Sequence, residues 1–233
     1  MKYASGIKSG GVLAVSGSTL NLYYSLTNSC ENGIISIIKE EGEPTAMYLH
    51  CTTEEATRRQ RQFAQLLLEN MHTQPYAEIT IGHLCRAAGT SRTAFYRYFE
   101  CKDDVLYLLI DDALLNYYSG QLIQIHDPES YREGIVHFLQ YWFDQKQLLD
   151  ALQKNGLESK LLERCRNHNI RYHIHASHDA LLKKEDNRAQ IITFAVNGLF
   201  SLILDWHHNG YSQSIDQMAD TVERVMLSPL ISI

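Results

Sequence analysis

A short polar segment in the middle of the chain carries side chains suited to contacts with DNA. Arg92, Thr93, Tyr96 and Arg97 fall on one side of a predicted helix that runs from Arg92 to Phe99. Arginine can donate two hydrogen bonds to guanine, a threonine methyl group can contact thymine, and a tyrosine hydroxyl can reach a phosphate. The same pattern also fits a solvated polar face that binds nothing.

The residues around this segment predict two short helices joined by a tight turn. Thr80 can cap the first helix, and Gly89 stands just after it, where left-handed backbone is needed. Ser91 can cap the second helix, in which Phe95 and Phe99 are four residues apart and are expected to point into the core.

A longer helix is expected to support this pair. It starts at a capping box from Thr52 to Glu55 and stops before Pro75. Three helices in this order are the sequence form of a helix-turn-helix domain.

The charge distribution agrees with a DNA-binding module in this region. The whole chain of 233 residues has a formal net charge of −6, but residues 52–102 carry seven basic and five acidic side chains. Residues 103–233 carry eleven basic and eighteen acidic side chains. A basic module attached to an acidic remainder is compatible with nucleic-acid binding, because the local field matters more than the sum.

Four short motifs follow one another at fixed spacing: Thr80-Ile81, Ala88-Gly89-Thr90-Ser91-Arg92, Phe95-Tyr96-Arg97-Tyr98-Phe99 and Lys102-Asp103-Asp104-Val105-Leu106. In these motifs the chain resembles the DNA-binding domain of TetR/AcrR-type transcriptional regulators. Residues 52–110 carry the close resemblance, residues 111–228 match in type only, and residues 1–50 have no counterpart.

The resemblance implies a set of residues that contact double-stranded operator DNA. Arg92 and Thr93 would read bases, and Lys102 would bind a phosphate at the start of the next helix. The remaining contacts that the resemblance implies would come from Thr80, Ser91, Tyr96 and Tyr98. Arg97 joins the predicted DNA contacts because it lies on the same polar face as Arg92. Thr80 and Ser91 are equally compatible with a capping role alone, and Tyr98 with partial burial in the core.

Beyond the DNA-binding module, the apolar spacing is helical throughout. We therefore predict an all-α fold with three parts: a loosely ordered extension over residues 1–50, a helix-turn-helix domain over 52–102, and a helical effector-binding and dimerisation domain over 103–228. The predicted helices of the last part are 103–124, one that opens at Asp127-Pro128, 157–182, 189–207 and 214–227.

The last two helices are where the resemblance places a homodimer interface. Its expected members are Leu199, Ile203, Trp206, Met218 and Val222. A dimer would present two recognition helices to two half-sites on DNA. The alternative is that these side chains fill the core of the single chain.

Aromatic and polar side chains in the C-terminal half are candidates for an effector pocket. They are Tyr118, His137, Phe138, Tyr141, Trp142, Cys165 and Asn197. Ligand cavities are mostly apolar with a few polar anchors, although aromatic stripes of this kind also form ordinary cores. The effector can be a small molecule or a protein partner, and a TetR-like activator controlled by such a partner is the alternative to a repressor.

Other functions receive little support. Cys165, His168, His175 and His178 lie near one helical face, but one helix cannot surround a tetrahedral zinc ion, so we predict no metal or cofactor. No H-E-x-x-H, G-x-S-x-G or G-x-G-x-x-G motif is present, so we predict no enzyme. The scattered cysteines indicate a reducing compartment, and no apolar run reaches the ~20 residues of a membrane span. We therefore expect a cytoplasmic protein with no membrane partner.

Overall fold

The computed structural model describes residues 53–120, 128–175 and 188–227, and the regular elements in these ranges are helices, which confirms the all-α prediction. The extension predicted for residues 1–50 lies outside the described residues. A 3₁₀ turn at Tyr76–Glu78 separates the first two helices. The α-helices are α1 Glu54–Thr73, α2 Ile81–Ala87, α3 Arg92–Phe95, α4 Lys102–Gly120, α5 Pro128–Asp144, α6 Lys146–Lys154, α7 Glu158–His175, α8 Arg188–His208 and α9 Ile215–Leu227.

Helix α1 is the support on which the helix-turn-helix rests. Thr53 caps it, because its Oγ1 atom accepts a hydrogen bond from the Ala56 amide at 3.3 Å. The predicted cap at Thr52 is therefore displaced by one residue, to the second threonine of the pair. Pro75 follows the end of the helix as expected. The buried face of α1 consists of Gln60, Phe63, Ala64, Leu67 and Met71.

The turn between α2 and α3 has left-handed backbone at Gly89, as predicted. Helix α3 is shorter than expected. Gly89 has a φ of +61°, and the Thr90 amide donates to the Cys85 carbonyl at 2.9 Å. The α-helical part of α3 ends at Phe95 rather than Phe99. The chain continues as a tighter turn, in which the Tyr98 amide donates to the Phe95 carbonyl three residues earlier at 2.9 Å.

One apolar core runs through both halves of the molecule. It extends from Phe63 on α1 through Leu106 on α4 to Val222 on α9. Helix α4 packs against α1 on one side and against α7 on another. The first residue of α4 is Lys102. This helix start coincides with the predicted domain boundary, but the division of the chain into domains at 102/103 stays a prediction.

Helix α6 was not predicted, and it holds the end of α1. Its amphipathic face buries Leu148, Leu149, Ala151 and Leu152. Asn155, just after α6, accepts from the Tyr76 amide at 2.6 Å and donates to the Met71 carbonyl at 3.3 Å. The Lys154 ammonium donates to the His72 carbonyl at 2.6 Å. These bonds join the C-terminal half to the end of α1 and to residues 74–80, the connector that leads into the helix-turn-helix.

The last two helices form a hairpin with its own capping interactions. The turn after α8 uses left-handed backbone at Gly210 and Tyr211, with φ values of +62° and +56°. Ser214 and Gln217 cap α9 reciprocally, each side chain accepting from the other residue's amide. In the ranges that the structure covers, none of the helices has both the length and the apolar character to cross a bilayer.

Candidate nucleic-acid interface

The polar face predicted on α3 is open to solvent. Arg92, Thr93, Tyr96 and Arg97 are all exposed, and Tyr96 retains 52 % of its accessible surface. The four side chains leave the same short segment, and Ser91 immediately before them is exposed as well. The segment therefore exposes two arginines, a tyrosine and a threonine, which are residue types that can contact bases and phosphates.

Two fully buried phenylalanines hold this face in place. The ring centroid of Phe95 lies 5.2 Å from that of Phe63 on α1, in an edge-to-face arrangement. The Phe99 ring meets Phe63 edge-on at 5.9 Å. Such contacts contribute beyond simple area burial, and they fix the side of α3 that faces outward.

Thr80 and Ser91 both act as helix caps. The Thr80 Oγ1 atom accepts from the His83 amide at 3.2 Å, and the Ser91 Oγ atom accepts from the Ala94 amide at 3.1 Å. Both residues are exposed. A hydroxyl that accepts one bond keeps its own proton for donation, so a phosphate contact from either residue stays a prediction.

The two tyrosines on this segment have different surroundings. Tyr98 is half-buried and packs against the core, and its carbonyl accepts from the Gln60 side chain at 3.4 Å. The Arg97 guanidinium lies 5.9 Å from the centre of the Tyr98 ring. Tyr96 is the more accessible of the two, so it is the better placed to reach a phosphate.

Lys102 is engaged within the protein. Its ammonium group donates to the Tyr76 carbonyl at 2.5 Å and to the Ile79 carbonyl at 2.9 Å. It also lies 3.9 Å from the centre of the Tyr76 ring. Burial lowers the pKa of Lys102, and the nearby Asp103 carboxylate opposes that shift. Two of its three N–H groups therefore tie the connector to α4, and the phosphate contact implied by the resemblance stays a prediction.

A buried carboxylate orders the turn from α3 to α4, and sequence reasoning did not assign it this role. One oxygen of Asp104 accepts from the Glu100 amide at 2.7 Å and from the Cys101 amide at 3.1 Å. Asp104 is 1 % exposed. The available signal was its position in the first turn of a helix, where carboxylates bind free amides.

The predicted effector residues on α5 are brought together in an aromatic cluster. The cluster contains His137, Phe138, Tyr141 and Trp142, with Tyr117 of α4 and Phe200 of α8. Phe138 and Trp142 are buried, and the Tyr141 hydroxyl donates to the Ala113 carbonyl at 2.5 Å. Phe138 and Trp142 belong to the protein's own core, and Tyr141 packs against it.

Two polar atoms in that cluster are buried without a hydrogen-bond partner among the described residues. They are Nδ1 of His137 and Nε1 of Trp142. Such groups are costly to leave unpaired. Of the other predicted pocket residues, Cys165 is buried on α7, Asn197 is half-exposed on α8, and the side chain of Tyr118 lies outside the described part.

Most of the residues predicted for a dimer interface are buried within the single chain. Ile203, Trp206, Met218 and Val222 are each less than 5 % exposed. Trp206 illustrates the reason, since its indole N–H donates to the Gln213 carbonyl at 2.9 Å and its ring packs on Tyr211. These four side chains therefore lie in the core of the single chain, and their part in a dimer interface stays a prediction. Leu199 alone of the five is partly exposed.

The exposed side of the same helix pair is apolar. A groove of about 400 Å³ is lined by Phe194, Gly198, Leu199, Ser201, Leu202, Asp205 and Val225. Phe194 is 69 % exposed, which makes it one of two large exposed hydrophobic side chains in the described ranges. Exposed apolar patches of this kind mark interaction surfaces.

The histidine-rich part of α7 lies largely outside the side chains that the structure describes. Among the described residues, no group of three or more His, Cys, Asp or Glu side chains is placed to hold a metal ion. The side chains of His168 and His175, and the whole of His178, lie outside the described part.

Two family matches cover much of the chain. Residues 68–107 match the family described as "Bacterial regulatory proteins, tetR family". Residues 129–228 match a family described as "Transcriptional regulator C-terminal region" of the TetR type. The first range contains α2, α3 and the start of α4, and the second runs from α5 to the end of α9.

The chain is similar to solved structures at low sequence identity. A putative TetR-family transcriptional regulator from Syntrophomonas wolfei is 14 % identical, with a TM-score of 0.53 over 76 % of this chain and 99 % of that one. The fatty acid degradation regulator FadR from Bacillus halodurans is 15 % identical, with a TM-score of 0.47 over 78 % of this chain and 98 % of that one. Among curated proteins, no sequence matches the chain.

Proposed function

The chain belongs to the TetR family of bacterial transcriptional regulators, and from this premise we propose that it is a repressor that binds an operator through α3 and releases it when an effector binds the C-terminal half. The observation that carries the proposal is the exposed polar face led by Arg92 and held outward by the buried Phe95. DNA is the target, so the protein would act in the cytoplasm.

Selection of bound sequences from a random DNA pool tests operator binding, and Arg92→Ala tests the proposed reading. We expect this change to weaken binding to the selected operator by about 1–3 kcal/mol and to relax one base preference in each half-site. Arg166→Ala is the matched control, because Arg166 is an exposed arginine on α7, away from the helix-turn-helix. If Arg92→Ala and the wild type select the same sequences with equal affinity, the placement of α3 in the major groove is wrong.

We further propose that two copies associate through the α8–α9 groove. Phe194 and Leu202 supply exposed apolar surface on α8, and Val225 continues it on α9. A twofold interface would bury the same groove on both copies. The pairing would place two α3 segments on one duplex, as half-site recognition requires.

Phe194→Glu is expected to dissociate this dimer. The change removes an apolar contact twice in a twofold interface and adds two like charges, so we expect the dimer dissociation constant to rise roughly a hundredfold or more. Sedimentation at micromolar concentration measures it. Gln147→Glu on α6 adds the same charge at an exposed position away from the groove and should leave the dimer intact. A monomeric wild type, or a Phe194→Glu variant that dimerises equally well, would contradict the proposal.

The proposed effector site is the aromatic cluster on α5. His137 Nδ1 and Trp142 Nε1 support this choice, since a bound molecule can supply the partners that these buried atoms lack. An apolar effector with one or two polar groups would suit such a lining. By shifting the population of conformations, it would change the separation of the two α3 segments.

Titrating candidate compounds into the complex of protein and selected operator tests this mechanism. Release of DNA in proportion to binding supports repression relieved by a small ligand. DNA affinity that no compound changes, but that a protein partner alters, would replace the small-molecule effector with the partner-controlled alternative.

A further inference from the structure

The guanidinium group of Arg92 lies directly against the backbone of Gly82 on the neighbouring helix α2. A Cβ atom built on Gly82 would be 2.7 Å from an Nη atom of Arg92 and 3.5 Å from its Cζ and Nε atoms. The first distance is shorter than the non-bonded contacts that Cβ atoms make in proteins. The guanidinium therefore occupies the space that a side chain at position 82 would fill.

The environment of Cys85 gives a second sign of the same arrangement. Burial raises the pKa of the Cys85 thiol, and the positive charge of Arg92 opposes that rise. Gly82 and Cys85 are three residues apart and so lie on one side of α2. The Arg92 side chain thus reaches back from the start of α3 across this side of α2, while the residue as a whole stays exposed.

The space taken by the Arg92 guanidinium, rather than the backbone conformation, explains why a glycine stands at position 82. Glycine is among the least favourable residues inside a helix, and Gly82 is the second residue of α2. Gly82 is absent from the glycines with positive φ in the described ranges, whereas Gly89 nearby has a φ of +61°. A larger residue would fit the helical backbone, but it would displace the guanidinium.

We propose that Gly82 is a positioning residue that sets the direction from which Arg92 reads its base. This inference rests on the proposed function, because it assumes that α3 enters the groove. Arginine has many rotamers, and restricting them before binding lowers the entropy lost on binding. With its guanidinium seated on α2, Arg92 reaches one position in the half-site and is kept from its neighbours.

Gly82→Ala separates this role from a role in folding. Alanine stabilises helices relative to glycine, and the methyl group displaces only the flexible end of Arg92. We therefore expect a melting temperature equal to or above that of the wild type. Operator affinity should fall about two- to tenfold, and the preference at the base pair sensitive to Arg92→Ala should weaken.

The Arg92→Ala background is the matched control. Without the guanidinium, Gly82→Ala should cause no further loss of affinity and no further change in preference. An equal loss in both backgrounds would show that the methyl group acts on DNA without Arg92, and it would overturn the inference. Unchanged or tighter operator binding by Gly82→Ala alone would overturn it as well.

A measurement on the free protein distinguishes this inference from the function on which it rests. NMR relaxation of the arginine Nε–H groups should show Arg92 more restricted than the exposed Arg97 in the wild type, and equally mobile in Gly82→Ala. Equal mobility of Arg92 in both proteins would refute the contact itself. If the contact is confirmed but the wild type selects no DNA, the proposed function fails and the reading role fails with it.

Discussion

Replacing Asp111 with alanine is expected to lower the free energy of unfolding by about 3–5 kcal/mol. Asp111 on α4 and Arg164 on α7 form a bidentate ion pair. Nε of the arginine donates to one carboxylate oxygen at 2.7 Å, and an Nη atom donates to the other. The residues are 1 % and 3 % exposed. Removing the carboxylate takes from the buried guanidinium the opposite charge and the two hydrogen bonds that Asp111 supplies.

The adjacent residue provides a matched comparison. Asp112 pairs with Arg61 at 3.3 Å, and that arginine side chain is 64 % exposed. Because solvent screens an exposed pair, Asp112→Ala should cost about 1 kcal/mol or less. Urea unfolding at pH 7 compares the two variants. Equal losses would mean that the buried pair contributes no more than the surface pair does.

A double variant tests whether the lost stability comes from breaking the charge pair. Asp111→Leu combined with Arg164→Met replaces both charges with apolar groups, and we expect it to recover much of the stability lost in Asp111→Ala. If the double variant is as unstable as the single one, lost packing, rather than the broken charge pair, accounts for the loss of stability.

The buried pair also indicates how the two halves are connected. One helical turn before it, the Lys160 ammonium on α7 donates to the Tyr107 hydroxyl on α4 at 2.8 Å. Helix α4 is thus joined to α7 by two polar contacts, Tyr107 with Lys160 and Asp111 with Arg164. At its start, Lys102 holds the connector into α2. A displacement of α7 would therefore carry α4 with it and reach the helix-turn-helix through Lys102.

Local sequence signals predicted the DNA-binding half well, because its elements are set by short-range chemistry. Thr80 and Ser91 are caps, Gly89 takes left-handed backbone, and Phe95 is buried, all as expected. Each of these features depends on neighbours within a few residues.

The features that were missed depend on residues distant in sequence. Asp111 and Arg164 are 53 residues apart, and Asn155 meets Tyr76 across 79 residues. Apolar periodicity cannot show which charged residue will be buried against which partner. The same limit applies to the residues predicted for a dimer interface, which stay a prediction. The spacing of Ile203 and Trp206 identifies a buried helical face without saying whether a core or a second copy covers it.

Phe95→Ala is expected to lower the free energy of unfolding by about 3–5 kcal/mol and to abolish operator binding at temperatures where the protein is still folded. Phe95 is fully buried, and its ring contacts Phe63 at 5.2 Å and Phe99 at 5.3 Å. The α-helical part of α3 has only four residues, so it cannot be stable alone. Its position depends on this anchor, and without the anchor Arg92 and Thr93 lose a fixed direction.

Phe138→Ala separates loss of the anchor from general loss of stability. Phe138 is buried in the C-terminal cluster, with edge-on contacts to Tyr117 at 5.5 Å and Phe200 at 5.6 Å. We expect a similar drop in melting temperature for both variants, but operator affinity should remain near the wild-type value only for Phe138→Ala. If Phe95→Ala fails to fold, Phe95→Leu replaces it in the experiment, because leucine keeps most of the buried volume. Phe95→Leu should bind the operator more weakly than the wild type does. Full operator affinity in the folded Phe95→Leu and Phe95→Ala proteins would mean that α3 keeps its orientation without an aromatic anchor, and that bound DNA itself orders the segment.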